Sequence, residues 1–501
     1  MEDQIRESLL RQKSERDILL SKEYIVRDHV PFAGGKRSRS LGGESKELES
    51  NEIIKVILGP RRSGKSVYGI SVFKDKDFIY INFDDQGLAQ ENNHNILYML
   101  INMIYHNRRG SRSKNIFLDE IQNLPQWELF VSILYRQGYN IIITGSNSKL
   151  LSKELSSRLT GRYVEDKIFP FSFKEYLSFY LKKTYGEIDK LLVNKVQNNS
   201  YGEDIFRIID LLEEYLEKGG YPITVTTDID YRNYLDTLFN SVIFEDIVKR
   251  YDIRSGLLLS NLAKYLLSLF SKEYSYTKLK NVLGFKNVNT VKSYVGYLEE
   301  AFLIFSLSKY STKFKEQINS SKKTYVVDNG FISAFYIQGV DLKSRLLENQ
   351  VFIQLLRQNK VPNYTMFYYK TKNNKEVDFI IKDDLSNKIV QLIQVSYSID
   401  NIDTKKREIS ALVEASDELE CDNCTIITWN DNTIIKNGEK TINCIPLWVF
   451  LLNTSILSKI FSTDRENFIG VSKEVNGILK DYTGDSSKRK SLSNSLGKWD
   501  K

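Results

Sequence analysis

Residues 59–66 read GPRRSGKS, directly after the apolar run IIKVIL and directly before a segment of helical period. No other stretch restricts the fold as much. Gly59 and Gly64 permit a tight loop whose backbone N–H groups surround phosphate at a helix N-terminus. A strand that runs through such a loop into a helix belongs to a parallel sheet covered by helices. The set that would hold a nucleotide is Gly59, Pro60, Arg61, Arg62, Ser63, Gly64, Lys65, Ser66 and Val67. Within it, Lys65 would reach the β- and γ-phosphates of ATP, and Ser66 would hold Mg²⁺.

The following segments meet that demand. FIYINFDD, NIFLDE, NIIITGSN and YVEDKIFPF are short apolar runs separated by helical stretches, as in the buried strands of a mostly parallel sheet. NIFLDE carries its acids at the strand's end, so Asp119 is placed to join the Mg²⁺ shell and Glu120 to orient or deprotonate the attacking water. An adjacent carboxylate pair is commonly a solvated turn. Downstream of a phosphate loop, at the end of a buried strand, it is better read as catalytic. Thr144, Ser146 and Asn147 stand at the tip of the next strand, where a polar side chain senses the γ-phosphate. SSRLTGR sets Arg158 and Arg162 just before the last strand. Arginines there suit a finger offered to a neighbouring subunit; local pairing with surface acids is the alternative.

With 501 residues, the chain is long enough for three or four domains at about 100–200 residues each. The charged N-terminus MEDQIRESLLRQKSERD argues against a secretory signal, and the apolar stretch IPLWVFLLNTSIL is too short to span a bilayer. A cytoplasmic protein without a membrane partner is expected. The net charge of +7 mildly favours a polyanionic partner. Three cysteines exclude a disulfide framework. Cys421 and Cys424 have CxxC spacing, but only Cys444 is left to join them and the histidines lie far upstream. Free thiols are expected in place of a four-ligand zinc site. The loop GGKRSRSLGG holds Lys36, Arg37 and Arg39, either against phosphate or simply solvated.

Two further modules follow. YTKLKNVLGFKNVNTVKSYVGYLEEAFLIFSLSKY reads as helix, glycine turn, helix and strand, the pattern of a helix-turn-helix with a wing. Its second helix, starting near Asn289, buries Val291, Val295, Leu298 and Phe302 and leaves Lys286, Asn289, Lys292 and Ser293 outward. DNA contact and protein docking are both open to such a face. Residues 376–396, EVDFIIKDDLSNKIVQLIQVS, have the layout of a metal-dependent nuclease core. Asp378 is the expected metal ligand, Glu376 flanks it, and Glu348 on the preceding helix is an accessory acid. Where an active site would show Glu-x-Lys, the chain has Gln394-Val395-Ser396. Gln394 retains only a neutral oxygen, and Ser396 cannot supply a lysine's charge. Lys405 or Lys406 could in principle substitute. The expectation is a nuclease-like fold that no longer cuts.

GPRRSGKS, IFLDEIQNLPQWE, ITGSNSKLLSKE, LTGR, PFSFKEYL and GGYP occur in that order, followed by IFEDIVKRY, VKSYVGYLEEAFLI, YVVDNGF, LLENQVF, EVDFII and IPLW. From about residue 20 to residue 452 the chain resembles the archaeal and bacterial AAA+ ATPases with a restriction-endonuclease-like C-terminal domain of unassigned function. The resemblance implies an α/β fold with a P-loop core, a helical lid, a winged helix and the nuclease-like module. The expected segments are 1–50 (helix and basic loop), 51–175 (ATPase core), 176–255 (lid), 256–330 (winged helix), 331–452 (nuclease-like) and 453–501 (polar tail). The leading expectation is an ATP- and Mg²⁺-dependent homo-oligomer, such as a hexameric ring, acting on DNA, including junction DNA. The alternatives are a nucleotide-gated signalling or defence switch acting on a protein partner, and an ATP-regulated nuclease.

Overall fold

The computed structural model describes residues 2–21, 24–25, 27, 53–74, 76–85, 88, 94–105, 113–146, 162–197, 203–335, 342–358 and 364–452. The basic loop with Lys36, Arg37 and Arg39, the tail 453–501, Asn147 and Arg158 lie outside the described residues. The chain divides into two compact units. The first comprises 1–171, 221–264 and 283–305; the second comprises 172–220, 265–282 and 306–501. The division falls inside both the expected lid and the expected winged helix.

In the first unit the strands are β1 (Ile54–Leu58), β2 (Phe78–Asn82), β3 (Asn115–Asp119), β4 (Asn140–Gly145) and β5 (Tyr163–Lys167). They form a sheet in the order β2-β3-β4-β1-β5, with every pair parallel. The continuous apolar runs predicted this, since a strand covered on both faces has no polar side to show. Val56, Ile57, Leu58, Ile116, Phe117, Leu118, Ile142 and Ile143 are all fully buried. The helix Lys65–Val72 packs so closely on the sheet that a Cβ at Gly69 would lie 2.4 Å from the Phe117 ring. At the edge, β2 is covered by the helix Glu2–Leu20. Gln12 donates to the Asn82 carbonyl at 3.0 Å and accepts from the Asn82 N–H at 2.8 Å, which occupies backbone groups an open edge would expose.

Residues 221–264 add helices Pro222–Thr226 and Tyr231–Ser241, and the latter runs on into a π-helical turn, Val242–Val248. The helix Val288–Glu300, also in this unit, buries Val291, Val295 and Leu298, with Asn287 capping its start by accepting from the Asn289 N–H. Lys286, Asn289, Lys292 and Ser293 are exposed, as the periodicity predicts.

β6 (Lys272–Tyr274), β7 (Ile304–Ser308) and β8 (Lys322–Val326), all in the second unit apart from the first two residues of β7, form a small sheet in the order β6-β8-β7. A mixed sheet holds β9 (Tyr364–Lys370), β10 (Glu376–Asp383), β11 (Lys388–Ser396), β12 (Cys424–Thr428), β13 (Thr433–Asn437) and β14 (Lys440–Pro446), in the order β13-β14-β12-β11-β10-β9. β11, β12 and β14 run parallel, while β9, β10 and β13 pair antiparallel. Val377 and Ile380 both join the apolar cluster that includes Ala411, Leu412 and Ala415 of the helix Ile402–Leu419. An uninterrupted strand would send those two positions to opposite faces. The register shift between them on the β9 side reconciles this, and such bulges re-aim neighbouring side chains. Phe379 packs instead with Tyr325 and with Phe352 of the helix Leu342–Gln358, and the Tyr325 and Phe352 rings stack at 4.1 Å. Cys421, Cys424 and Cys444 are unpaired thiols inside the cluster beneath the helix Ile402–Leu419.

Candidate active site

The sheet order puts β4 between β1 and β3, so the loop after β1 and the acids ending β3 face one crevice, bridged by the tip of β4. Open parallel sheets place ligands at this position, outside the carboxyl ends of strands whose connections diverge. Gly59 is required by close approach, since a Cβ there would lie 2.1 Å from the Ile168 carbonyl oxygen. Ser63 donates to that same oxygen at 2.9 Å, and Arg27 donates to the Ser63 carbonyl at 2.8 Å, so the loop is held from behind. Arg62 and Gly64 adopt positive φ, of 64° and 94°. Gly64 caps the helix on which Lys65, Ser66 and Val67 occupy the first turn.

Lys65 is almost fully buried; its ammonium donates to the Pro60 carbonyl at 3.0 Å and lies 3.6 Å from Glu120. Asp119 is locked from three sides: it accepts from the hydroxyls of Tyr80 at 3.1 Å, of Thr144 and of Ser66. Thr144 in turn accepts from the backbone N–H of Glu120 at 2.9 Å. One hydroxyl at the end of β4 therefore holds both acids. Glu120 itself sits at φ 49°, a left-handed conformation uncommon for a residue with a side chain. It turns the chain sharply after β3 into the short helix Ile121–Asn123. Strained backbone of this kind is characteristic of functional positions.

The two acids are driven apart electrostatically. Burial and the charge of Glu120 push Asp119 up to about 6, against the pull of its hydrogen-bond donors and Lys65. Burial also acts on Glu120, but Lys65, the Gln122 amide, Arg61 and Arg250 hold it below the usual carboxylate range. Ser66 and Asp119 present hard oxygen donors, which fit Mg²⁺ and not a soft metal.

Arg61 ion-pairs with Asp246 at 2.8 Å. Asp246 stands on the π-helical turn Val242–Val248 and is buried. Neither Asp246 nor Arg250 was singled out from sequence, although both lie in the quoted segment IFEDIVKRY. Ser146 is buried just past β4. Arg162 lies at the opposite end of the strands from the phosphate loop: its carbonyl accepts from Ile54 at the start of β1, and its guanidinium lies over the Tyr135 ring at 5.4 Å.

In the second unit a separate acidic centre forms. Glu348 on the helix Leu342–Gln358 and Glu376 and Asp378 at the head of β10 converge on the ammonium of Lys323 from β8, at 3.0, 2.7 and 3.0 Å. Lys323 stands 55 residues before Asp378, in a stretch that the sequence reading assigned to a wing; Lys405 and Lys406 are not part of this contact set. Its strand neighbours Thr324, Tyr325 and Val326 are all buried. Gln394 faces elsewhere, accepting from the Asp378 N–H at 3.3 Å and donating to Glu408 at 2.6 Å. The Ser396 hydroxyl donates to the Ser398 carbonyl.

Family profiles match three stretches: the AAA domain over residues 51–177, a domain of unknown function (DUF8612) over 209–343, and another (DUF4143) over 343–450. Uncharacterized protein MJ1544 of Methanocaldococcus jannaschii is 35% identical over 472 residues, covering 89% of this chain and 98% of its own. The chain belongs to the family of that protein. An uncharacterized protein of Haemophilus influenzae is 32% identical over 361 residues, which is 67% of this chain and 81% of the relative. The N-terminal region of this family member is thus an AAA-type P-loop core on a parallel sheet. Among solved structures, the replication initiator DnaA bound to AMPPCP and single-stranded DNA aligns with TM-score 0.21 and 17% identity over 50% of this chain and 83% of that one. The Thermotoga maritima RuvB Holliday junction branch migration motor aligns with TM-score 0.20 and 13% identity over 50% and 81%. Likenesses at these scores carry no argument. Among the described residues no helix is long and apolar enough to cross a membrane.

Proposed function

We propose that this protein is a Mg²⁺-dependent ATP hydrolase of the AAA type that works as a homo-oligomer on DNA. The observation that carries the reading is the Thr144 bridge, which aligns Asp119 and Glu120 opposite Lys65 and Ser66. Idle acids at a solvated turn would not need a buried hydroxyl to fix them. Ser66 and Asp119 would hold Mg²⁺, which when bound neutralises charge on the phosphates. Lys65 draws the β- and γ-phosphates into the loop. Glu120, kept ionised by its cationic neighbours, accepts a proton from the attacking water or orients it. Ser146 and Asn147 are assigned to sensing the γ-phosphate. Arg158 or Arg162 is assigned to a neighbour's nucleotide; for Arg162, its distance from its own phosphate loop supports that assignment.

The DNA reading is supported by the exposed Asn289, Lys292 and Ser293 on the helix Val288–Glu300, with exposed Lys286 just before it, read as the recognition helix of a winged helix. The C-terminal sheet with its acids is read as a nuclease-like module that does not cut. ATP turnover should be measured with and without linear, single-stranded and four-way-junction DNA, with Lys65→Ala as blank. Turnover above the blank and strong stimulation by one DNA form are expected. No turnover above the blank would reject the hydrolase, and turnover indifferent to DNA would replace DNA with a protein partner.

A further inference from the structure

The three carboxylates of the second unit meet at a single point. Glu348 comes from a helix and Glu376 and Asp378 from the head of β10, and each has an oxygen within 3.0 Å of the Lys323 nitrogen. Hard oxygen donors gathered on one point suit a divalent cation, yet among the described residues no group of three or more acids, histidines or cysteines could hold a metal ion as it stands. An ammonium has three N–H donors and no acceptor; here it donates to Glu348 and Asp378 and ion-pairs with Glu376 at 2.7 Å. Lys323 is only 2% exposed.

We infer that this acidic centre is a cation site whose resident cation is the chain's own Lys323 ammonium, and that it takes a divalent metal ion only when that amine is removed. The arrangement around the site favours a fixed occupant. Tyr325 donates to Glu348 at 2.7 Å, the Val395 N–H donates to Asp378 at 2.9 Å, and Lys370 lies 3.7 Å from Glu376. Glu348 and Asp378 are thus each hydrogen-bonded from a second side, and Glu376 has a second, longer ion pair. Burial works against the charge on Lys323, yet Glu348, Asp378 and Glu376 keep its pKa well above the ordinary lysine value. Losing either the amine or the acids would strand buried charge. Gln394, at the position where a further anionic ligand would stand, is engaged with Glu408 and the Asp378 backbone. A metal-activated water is therefore denied to this site by a covalently tethered cation, whatever the nucleotide site does.

Mn²⁺ binding to the full chain, followed by loss of the free-ion electron paramagnetic resonance signal, tests the inference. Lys323→Gln, which shortens the side chain by one atom and keeps hydrogen-bond donors but not the charge, should gain one Mn²⁺ per chain over the wild type. The gain should disappear in Lys323→Gln combined with Asp378→Asn. The bound ion should also raise the melting temperature of the single variant by roughly 5–10 °C at about a hundred-fold excess over Kd, and leave the wild type unmoved. A folded Lys323→Gln with no added Mn²⁺ would overturn the inference, as would a wild-type site that Asp378→Asn abolishes. If Lys323→Gln does not fold in metal-free buffer, recovery of its circular dichroism in millimolar Mn²⁺, absent in the double variant, supports the inference. Failure to recover there counts against it, and Lys323→Ala provides an independent repeat.

Discussion

Each unit of this chain buries a lysine among carboxylates, and the two lysines are partnered very differently. Lys65 has one backbone carbonyl at 3.0 Å and one carboxylate at 3.6 Å, and it opens the helix that follows the phosphate loop. Lys323 has three carboxylates within 3.0 Å. A buried ammonium with loose partners beside a phosphate loop is suited to receive an anion. One ion-paired at close range to three acids is suited to hold structure. The contrast between the two lies in coordination alone, because the residue type and the degree of burial are the same.

The sharpest way to break the comparison is to remove each lysine in turn. Lys65→Ala should lower ATP turnover by roughly 100-fold or more, through loss of transition-state charge stabilisation, with little change in melting temperature. Lys323→Ala should instead cost about 3–5 kcal/mol of stability, because it leaves three acids facing one another. Turnover assays and denaturant melts on both variants decide the matter. If Lys65→Ala melts early or Lys323→Ala melts normally, the distinction between the two lysines fails.

Within the first unit, Glu120→Gln should retain ATP binding within a few-fold while turnover falls about 100-fold or more. Equilibrium binding of a fluorescent nucleotide, set beside steady-state turnover, reads both. Loss of binding together with turnover would place Glu120 in nucleotide capture instead. Thr144→Val is a finer cut of the same kind. It preserves shape but leaves the Glu120 N–H without its acceptor and Asp119 without one donor. A turnover loss of about 10-fold is expected, in line with the cost of one unsatisfied buried polar group. An unchanged rate would mean that other contacts align the two acids.

How far the sequence carried each site follows from where its residues lie along the chain. The nucleotide site is built from a contiguous loop and the ends of successive strands, so GPRRSGKS, Asp119-Glu120 and Thr144 could be read in order, and the parallel sheet followed from the apolar runs. The Arg61–Asp246 pair could not, because it joins positions 185 residues apart through a π-helical turn that has no pattern of its own. The acidic centre was legible on one side only. Glu348, Glu376 and Asp378 follow from the strand and helix pattern, whereas Lys323 reaches them from another sheet. Lys405 and Lys406 lie nearer to Asp378 in sequence than Lys323 does, and a tertiary contact made by an ordinary lysine leaves no periodic trace. The register shift beside Asp378 is equally silent, since alternation predicts opposite faces for Val377 and Ile380.

The smallest expected effect concerns pH and tests whether the acidic centre is overfilled with negative charge. Burial pushes Glu348 up to about 7, and the attraction of Lys323 offsets this only in part while Asp378 adds to it. An unfolded glutamate titrates near 4.3. Between roughly pH 4 and 7 the folded chain therefore binds more protons at Glu348 than the unfolded chain does, so this residue's contribution makes stability fall as pH rises through that window. Glu348→Gln keeps an oxygen to accept from Tyr325 and Lys323 and removes the titration. Its stability should be flatter from pH 4 to 7 and at pH 8 higher than wild type by about 1 kcal/mol, the scale of one pKa unit. Denaturant melts across that range read the slope. A variant less stable than wild type at pH 8 would mean that Lys323 needs all three carboxylates ionised, and the centre would then be balanced by its lysine and not crowded around it.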